Sequence, residues 1–484
     1  MVETRQLGTA FVVLFCPAMR GNIWERGRFM AERVRSMTEG SPAKLLITFA
    51  LPLMVGNVFQ QLYTVVDTAV VGQVVGVSAL AALGAADWLN WMVLGIIQGL
   101  TQGFSILMAQ HFGAKDYREL SRAVGGSATL CAAFTLLLAA ASQLAARPVL
   151  QVLSTPADIL PGSLLYLRIV FGGIPMIMAY NLLASILRAL GDSKTPLYAV
   201  AVAALLNVGL DLLFVMGFRW GIAGAAIATV LSQGASAVYC FAHVRRVSLL
   251  KVSREDLRLS PGQAVLLLKL GSPAALQNAI ISVGGMVVQS VINRFGMLFL
   301  AGFTATNKLY GLLEIAATSY GFAVTSYVGQ NLGARKVKRI KRGQAWATVI
   351  ALVTSVVIAA AMLVFGRLVL GLFISGDPAE AAASMDIAYR YLAIMSLCLP
   401  ILYMLHIYRS ALMGLGDTLV PMFSGVAEMV VRIGVALLLP LVMGREGIYF
   451  AEVGAWAAAA ALLVTAYFLR IRALSQRKGF ALDE

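Results

Sequence analysis

The sequence predicts an all-α integral membrane protein with 12 transmembrane helices in two six-helix bundles related by an internal repeat. Three observations predict this fold class: the apolar composition, the spacing of long apolar stretches, and motifs that recur at a nearly constant separation. Of 484 residues, 60% are hydrophobic and only 13% are charged, whereas soluble domains are about half apolar and a quarter charged. A soluble fold could not hide this much apolar surface, so lipid must cover part of it.

The apolar residues occur in stretches of about 20 to 30 residues, which is the length that a tilted transmembrane helix needs. Short polar breaks separate these stretches. The predicted helices cover residues 43–72, 78–110, 119–147, 161–187, 194–217, 221–245, 263–293, 298–331, 342–373, 384–413, 417–440 and 447–470. Prolines inside helices, namely Pro52, Pro175, Pro273 and Pro400, predict kinks.

The loops between these helices alternate in charge. The net charge of +15 would suggest nucleic-acid binding in a soluble protein, but here the basic residues lie at helix ends, and no nucleic-acid partner is expected. One side has only isolated cations, such as Arg147 and Arg219, so the positive-inside rule predicts a multi-pass cell-membrane protein with both termini in the cytoplasm. The basic side carries Arg33, Arg35, Lys44, Lys115, Arg118, Arg122, Arg188, Lys194, Arg245, Arg246, Lys251, Arg254, Arg258, Arg335, Lys336, Lys338, Arg339, Lys341, Arg342, Arg409, Arg470, Arg472, Arg477 and Lys478.

The helix count divides the chain into five regions. These are a cytoplasmic N-terminal segment (1–42), an N-lobe with helices 1–6 (43–245), a cytoplasmic linker (246–262), a C-lobe with helices 7–12 (263–472) and a cytoplasmic tail (473–484). The apolar patch at residues 9–19 is too short to span a bilayer and lacks a signal-peptide cleavage pattern. The true start is therefore expected at Met1, Met30 or Met37.

The two halves of the chain share motifs that lie about 220 to 225 residues apart. Each half has six predicted helices, so the repeats have the same orientation, an arrangement known from transporters. The alternative is a duplicated scaffold or receptor that transports nothing. The matching segments are 50–52 with 271–273, 109–115 with 329–335, 166–167 with 391–392, and 190–196 with 415–421.

The sequence offers no constellation for catalysis. It contains no P-loop, no dinucleotide fingerprint and no Ser/His/Asp arrangement. Its cysteines show neither metal-ligand nor disulfide spacing, and they are Cys16, Cys131, Cys240 and Cys398. We therefore expect no enzymatic activity, no cofactor and no structural metal, and any transport must draw its energy from an ion gradient.

Two carboxylates lie inside predicted helices of the first half. Ionisable groups in hydrocarbon cost a few kcal/mol, so they tend to have a function. Asp67 on helix 1 and Asp211 on helix 5 both lie about 8–9 Å below the same membrane boundary at 1.5 Å per residue, and Asn207 shares a helix face with Asp211. Two carboxylates in one pocket can take up and release a proton, or bind Na⁺ with other oxygen ligands. The alternative is that they only bridge helices.

Other intramembrane polar groups allow two interpretations each. Asp87 is either a third member of the network or a helix cap, and Glu314 could bind a cationic substrate unless Lys308 neutralises it. His406 is either a proton site or a hydrogen-bonded cavity histidine. Glu428 and Arg432, four residues apart on one helix, are expected to form a structural ion pair.

Several motifs resemble the multidrug and toxic compound extrusion (MATE) family, from about Leu45 to the end of the last predicted helix. They are Gln-Gln-Leu-Tyr-Thr-Val-Val-Asp-Thr at 60–68, the Gln-x-x-Gly-Ala-Lys/Arg loops after helices 2 and 8, the two Leu-Gly-Asp-x-x-x-Pro motifs, and Asn-Val-Gly-Leu-Asp at 207–211. The resemblance implies a V-shaped pair of bundles that exports drugs in exchange for protons or sodium ions. It also implies an ion-coupling network formed by Gln60, Tyr63, Asp67, Asn207 and Asp211, joined by Asn181.

The second half departs from this pattern. Val288 and Ala436 stand where the first half has Asp67 and Asp211. On helices 7 and 10, where some relatives carry acidic ion ligands, this chain has Gln277 and His406. The departure favours protons over sodium ions.

The sequence therefore predicts a secondary active multidrug exporter. It would act as a monomer and exchange lipophilic or cationic drug-like molecules for H⁺, with Na⁺ at Asp67 and Asp211 as the open alternative. A lipid-linked sugar flippase of the same superfamily is the second transporter hypothesis. A non-transporting scaffold or receptor is the hypothesis from another class.

Overall fold

The computed structural model describes residues 34–153, 155–374 and 378–476. Met30 and the apolar patch at 9–19 lie outside the described residues. Within these residues, twelve long helical units follow one another, two of them in two segments, and the short helix Pro440–Met443 lies between the last two units. They are α1 (Pro42–Val74), α2 (Val77–Gly113), α3 (Tyr117–Val152), α4 (Leu160–Gly172 and Ile174–Ala189), α5 (Lys194–Asp211), α6 (Gly221–Val244), α7 (Pro261–Ile292), α8 (Met297–Gly333), α9 (Val337–Leu370), α10 (Pro378–Leu397 and Leu399–Gly414), α11 (Leu419–Leu438) and α12 (Phe450–Ser475).

Most of these units are long and apolar enough to cross a bilayer. By length and composition alone, eight stretches of the described residues qualify as spans, and ten do if each bent pair counts as one. One stretch, Leu419–Ser475, contains both α11 and α12. Helix α8 has 37 residues but carries Lys308 and Glu314 in its first half. The number of long helical units in the described part of the chain equals the twelve predicted from the sequence.

The backbone repeats itself between α1–α6 and α7–α12. Both α4 and α10 are bent by 50° at equivalent places, after Gly172 and after Leu397. Left-handed backbone recurs as well, at Gly191 (φ +82°) and at its repeat mate Gly416 (φ +83°). A turn that needs glycine in both halves indicates that each half forms the same six-helix unit.

Only two of the four prolines predicted to cause kinks lie at breaks. Pro175 and Pro400 occupy the first turn of the second segment of α4 and α10. There the missing N–H leaves no helical hydrogen bond unmade. Pro52 and Pro273 lie inside the unbroken helices α1 and α7. The expected kinks at these two positions therefore do not break their helices.

The first turns of α1 and α7 each pack into the core of the opposite bundle. The buried residues Leu46, Phe49 and Leu53 at the start of α1 belong to the apolar core of the second bundle. Conversely, Leu267 and Leu270 at the start of α7 belong to the core of the first bundle. The interface between the bundles is therefore formed by contacts of α1 with α8 and of α2 with α7. We call this interface the seam.

Glycine allows the backbones of α2 and α7 to approach each other closely at this seam. A Cβ atom on Gly99 of α2 would lie 2.5 Å from the carbonyl oxygen of Ala274 on α7. By contrast, a Cβ atom on Gly84, also on α2, would meet nothing within 4 Å. We therefore expect Gly99→Ala to destabilise the protein by about 1–3 kcal/mol through overpacking. Gly84→Ala should stabilise it by about 0.5–1 kcal/mol, because alanine is the better helix former.

Thermal unfolding of the two variants in detergent checks this expectation. The melting temperature should fall for Gly99→Ala and hold or rise for Gly84→Ala. Equal shifts of the same sign would show that the two helices are not in close contact at Gly99.

Candidate functional site

Two aspartates lie buried inside helices of the first bundle. Asp67 on α1 is 7% exposed, and Asp211, the last residue of α5, is 0% exposed. Directly after Asp211 the helix widens into the π-helical segment Leu212–Gly217. Such segments are rare and often occur at functional sites, since the extra residue in the turn displaces the side chains around it.

The two carboxylates interact with each other and receive little compensation from hydrogen bonds in the part of the chain that the structure describes. Asp67 and Asp211 are near enough to interact electrostatically. Within the described residues, Oδ1 of Asp67 and both carboxylate oxygens of Asp211 are buried and have no hydrogen-bond partner. Leaving such acceptors unsatisfied is costly, and more so for charged groups. The pair is therefore a place where a bound cation would be stabilised.

A ring of polar side chains surrounds the space next to this pair. The Tyr63 hydroxyl on α1 lies close to the side chains of Gln60 and Gln233, and it is near enough to Asp67 and Asp211 to interact with them electrostatically. The amide group of the buried Asn207 has no hydrogen-bond partner on either atom within the described residues. These groups border a cavity lined by Gln60, Tyr63, Tyr180, Val200, Ala203, Asn207, Thr229, Ser232, Gln233 and Ser236.

The cavity is small. The centre of a water-sized sphere can occupy about 10 Å³ of it, which is roughly the room that one water molecule needs. A drug-sized molecule needs several hundred Å³. The cavity in the first bundle therefore fits a water molecule or a small cation and is too small for a substrate.

Sequence reasoning missed part of this ring. Gln233, Ser232, Thr229 and Ser236 on α6 line the cavity, and none of them was predicted. Tyr180 of α4 also lines it, whereas its neighbour Asn181, expected to join the network, donates to the carbonyl of Ile177 at 2.9 Å. Single glutamines and serines in apolar helices are common, so only the packing of α6 against α5 and α4 reveals their role.

Asp87 occupies a different position from the buried pair. Its side chain on α2 is exposed and lies near enough to interact electrostatically with Asp67 and with Lys308 of α8. Lys308, which the sequence offers as one possible partner of Glu314, interacts electrostatically with Asp87 across the seam. Asp87 therefore interacts electrostatically with a buried aspartate of the first bundle and with a lysine of the second.

His406 and Glu314 pair with each other in the second bundle. Nε2 of His406 on α10 lies 3.1 Å from Oε1 of Glu314 on α8, and their side chains are 15% and 24% exposed. Their pairing was not predicted from the sequence, which suggested a separate role for each residue. Gln277 is buried on α7 and packs against Gly425.

The expected ion pair between Glu428 and Arg432 is wrong. Glu428 instead pairs with Arg409 of α10, and Arg432 Nη2 lies 2.8 Å from Glu452 Oε2 of α12. Both side chains point from α11 toward neighbouring helices, where contacts between helices compete with the i, i+4 pair. These buried pairs join α10, α11 and α12, so the glutamates are compensated by cations, unlike Asp67 and Asp211.

Comparison with known proteins agrees with this architecture. The family model MatE matches residues 52–213 and again 273–438, one match in each bundle. The probable multidrug resistance protein YpnP of Bacillus subtilis is 35% identical over 303 residues, which cover 63% of this chain and 68% of that protein. The probable multidrug resistance protein NorM of Thermotoga maritima is 25% identical, over 78% of this chain and 81% of that protein.

The fold recurs in solved structures. A MOP superfamily transporter from Pyrococcus furiosus superposes with a TM-score of 0.85 at 22% identity, covering 92% of this chain and 99% of that one. This likeness confirms the predicted fold class of two repeated six-helix bundles. Since the family model covers both halves and the curated relatives align across them, the chain belongs to the MatE family of multidrug and toxic compound extrusion transporters.

Proposed function

We propose that this membrane protein is a secondary active exporter that exchanges lipophilic, often cationic small molecules for protons. The observation that carries the proposal is the buried pair of Asp67 and Asp211, which interact electrostatically and of whose four carboxylate oxygens three are buried without a hydrogen-bond partner within the described residues. The relatives named multidrug resistance proteins support the substrate class. Each coupling group lies within one chain, so we propose that a monomer is sufficient.

The coupled ion binds at the carboxylate pair. A proton on either aspartate removes one buried negative charge and turns an unsatisfied acceptor into a donor, so its uptake stabilises the first bundle. A sodium ion would need several oxygen ligands at once. We favour H⁺ over Na⁺ because a single proton is enough to neutralise one of the two buried carboxylates.

The proton drives export if it prefers the state that releases the substrate. A ligand shifts a conformational equilibrium only by the difference between its affinities for the two states. Asp67 lies on α1, which enters the core of the second bundle, so repacking around a protonated Asp67 reaches the seam. The proton and the substrate would then bind at different sites. Each would lower the affinity of the protein for the other through the conformational change.

The positions of the basic loops support the proposed orientation in the membrane. Lys115 and Arg335 occupy matching left-handed turns that follow α2 and α8. By the positive-inside rule this face lies in the cytoplasm, together with both termini. Substrate would enter from this side and leave from the opposite one.

A flippase for lipid-linked sugars is the less favoured function. A site for a pyrophosphate group needs basic side chains that are free to bind it. In this chain, Arg409 and Arg432 are each engaged by a glutamate. These pairings favour the exporter.

Transport by purified protein in proteoliposomes tests the proposal. A cationic dye such as ethidium is followed while a pH gradient or a Na⁺ gradient is imposed in separate vesicles. We expect dye flux with the pH gradient and a much smaller flux with the Na⁺ gradient. Flux driven only by Na⁺ would overturn proton coupling, and the absence of gradient-dependent flux in both cases would overturn the antiport function.

A further inference from the structure

We propose that the repeated Gln-x-x-Gly motifs form a clasp between the bundles, which closes the basic face and must open in every transport cycle. The clasp consists of Gln110 and Gly113 at the end of α2, and Gln330 and Gly333 at the end of α8. The inference rests on the proposed transport function, because a cycle requires a gate on each face. The contacts themselves are independent of the substrate and of the ion.

The two glutamines bind across the seam in a pseudo-symmetric way. Gln110 Nε2 donates to the carbonyl oxygen of Gly414 at 3.2 Å, and Gln330 Nε2 donates to that of Ala189 at 2.8 Å. Ala189 and Gly414 are repeat mates that end α4 and α10. Carbonyls in the last turn of a helix lack a helical partner. Each glutamine therefore caps a helix that belongs to the other bundle.

The two glycines let the backbones of α2 and α8 touch beside these bonds. A Cβ atom on Gly113 would lie 1.9 Å from the carbonyl oxygen of Gln330, and one on Gly333 would lie 1.8 Å from that of Gln110. Both contacts are against rigid backbone, so no side chain larger than hydrogen fits while the clasp is closed. The motif needs glycine because of this close approach between helices.

The segment before α1 strengthens the clasp. Gln330 Oε1 accepts from the Met37 backbone N–H at 2.7 Å, and Asn331 Nδ2 and Arg339 Nη2 donate to the Met37 carbonyl at 3.1 and 3.2 Å. Met37 is 2% exposed. One side chain, Gln330, therefore links the entry segment of the first bundle to α8 and to the end of α4.

The segment before α7 makes the equivalent crossing. Thr129 of α3 donates to the Leu257 carbonyl at 2.8 Å, and Ser121 of α3 accepts from the Lys251 backbone N–H at 3.3 Å. Helix α3 is the repeat mate of α9, which carries Arg339. Each bundle's entry segment is thus anchored on the third helix of the other bundle, and the basic face is held from both sides.

The chemistry of the clasp suits a gate. The bonds of both glutamines join neutral groups, which water can replace when the helices separate. Removing the glutamine donors, or forcing the two glycine contacts apart, should therefore open the basic face. Opening can be detected at Met413, which lies on α10 but is buried, at 4% exposure, in the core of the first bundle.

The test measures labelling of Met413→Cys by a membrane-impermeant maleimide applied to the basic face, in a background without the native cysteines. We expect Gln110→Leu/Gln330→Leu to increase the labelling rate at least about tenfold, as a gate shifted toward its open state requires. The matched control is Gln344→Leu, a buried glutamine of α9 whose amide has no partner within the described residues. An Arg118→Cys reporter, at an exposed position, checks that the basic face is accessible.

A second variant keeps the test decisive if the double substitution does not fold. Gly333→Ala should also increase labelling of Met413→Cys, whereas Gly434→Ala, where a Cβ would meet nothing within 4 Å, should not. Labelling equal to that of the matched control in both cases would overturn the clasp. The measurement needs neither dye nor gradient, so it can fail while antiport holds, and antiport can fail while the clasp holds.

Discussion

Asp67→Asn and Asp211→Asn are each expected to reduce proton-driven dye export strongly while leaving the protein folded. Asparagine keeps the shape of a protonated carboxyl group but cannot release a proton, so the first bundle stays in its proton-bound state. The proton gradient can then no longer drive the conformational change through this site. Export should fall by about 5- to 150-fold, the range of typical coupling between two sites. Initial rates of dye export from proteoliposomes with an imposed pH gradient measure the effect.

The matched control is Asp158→Asn, the same change at an exposed aspartate between α3 and α4. It should leave the export rate unchanged at equal protein density. If either buried variant, folded and reconstituted as well as wild type, still exports at the wild-type rate, that aspartate does not carry the coupled proton.

Arg432→Met is expected to destabilise the second bundle by about 3–5 kcal/mol, because it leaves a buried carboxylate without its cation. Arg432 and Glu452 lie 2.8 Å apart, with side chains that are 7% and 18% exposed. Removing both charges by Arg432→Met/Glu452→Met should recover most of this loss, since a buried ion pair contributes little beyond what apolar packing offers. The free energy of unfolding in detergent, measured by denaturant titration, checks both values.

An exposed pair supplies the control for this comparison. Arg367 Nη2 and Asp386 Oδ1 lie 3.1 Å apart, with side chains that are 60% and 62% exposed. Arg367→Met should change the unfolding free energy by less than about 1 kcal/mol. Equal losses for Arg432→Met and Arg367→Met would mean that burial does not set the strength of these pairs.

The helices and the repeat could be predicted from the sequence because lipid imposes a simple rule. A span must be long and apolar, and the polar breaks between spans are conspicuous. Which of the four predicted kinks breaks a helix could not be predicted, since Pro52 and Pro273 have the same local signal as Pro175 and Pro400 and yet lie in unbroken helices. What differs is the tertiary packing around each proline.

The central carboxylates of the site could be predicted, but most partners could not. Asp67 and Asp211 stand out because an acid in hydrocarbon is rare. Gln233 and Tyr180 are ordinary residues of apolar helices, and only the meeting of α1, α4, α5 and α6 brings them to one cavity. Arg432 illustrates the same limit, because its i, i+4 neighbour Glu428 competes with partners on other helices that the sequence does not reveal.

The clasp shows the same difference between what the sequence predicts and what depends on tertiary contacts. The motifs at 109–115 and 329–335 mark the repeat in the sequence. Their contacts with Ala189 and Gly414 join residues that are far apart in the chain, so the motifs indicate where the ends of α2 and α8 lie but not what they touch.

Proton release on substrate binding tests the central claim most directly. Purified protein in a weakly buffered detergent solution is mixed with the cationic dye, and a pH indicator reports the protons that appear. If Asp67 and Asp211 hold the coupled proton, wild type should release about one proton per bound dye molecule, as reciprocal linkage requires, and Asp67→Asn/Asp211→Asn should release none. Undiminished release by the double variant would contradict the account.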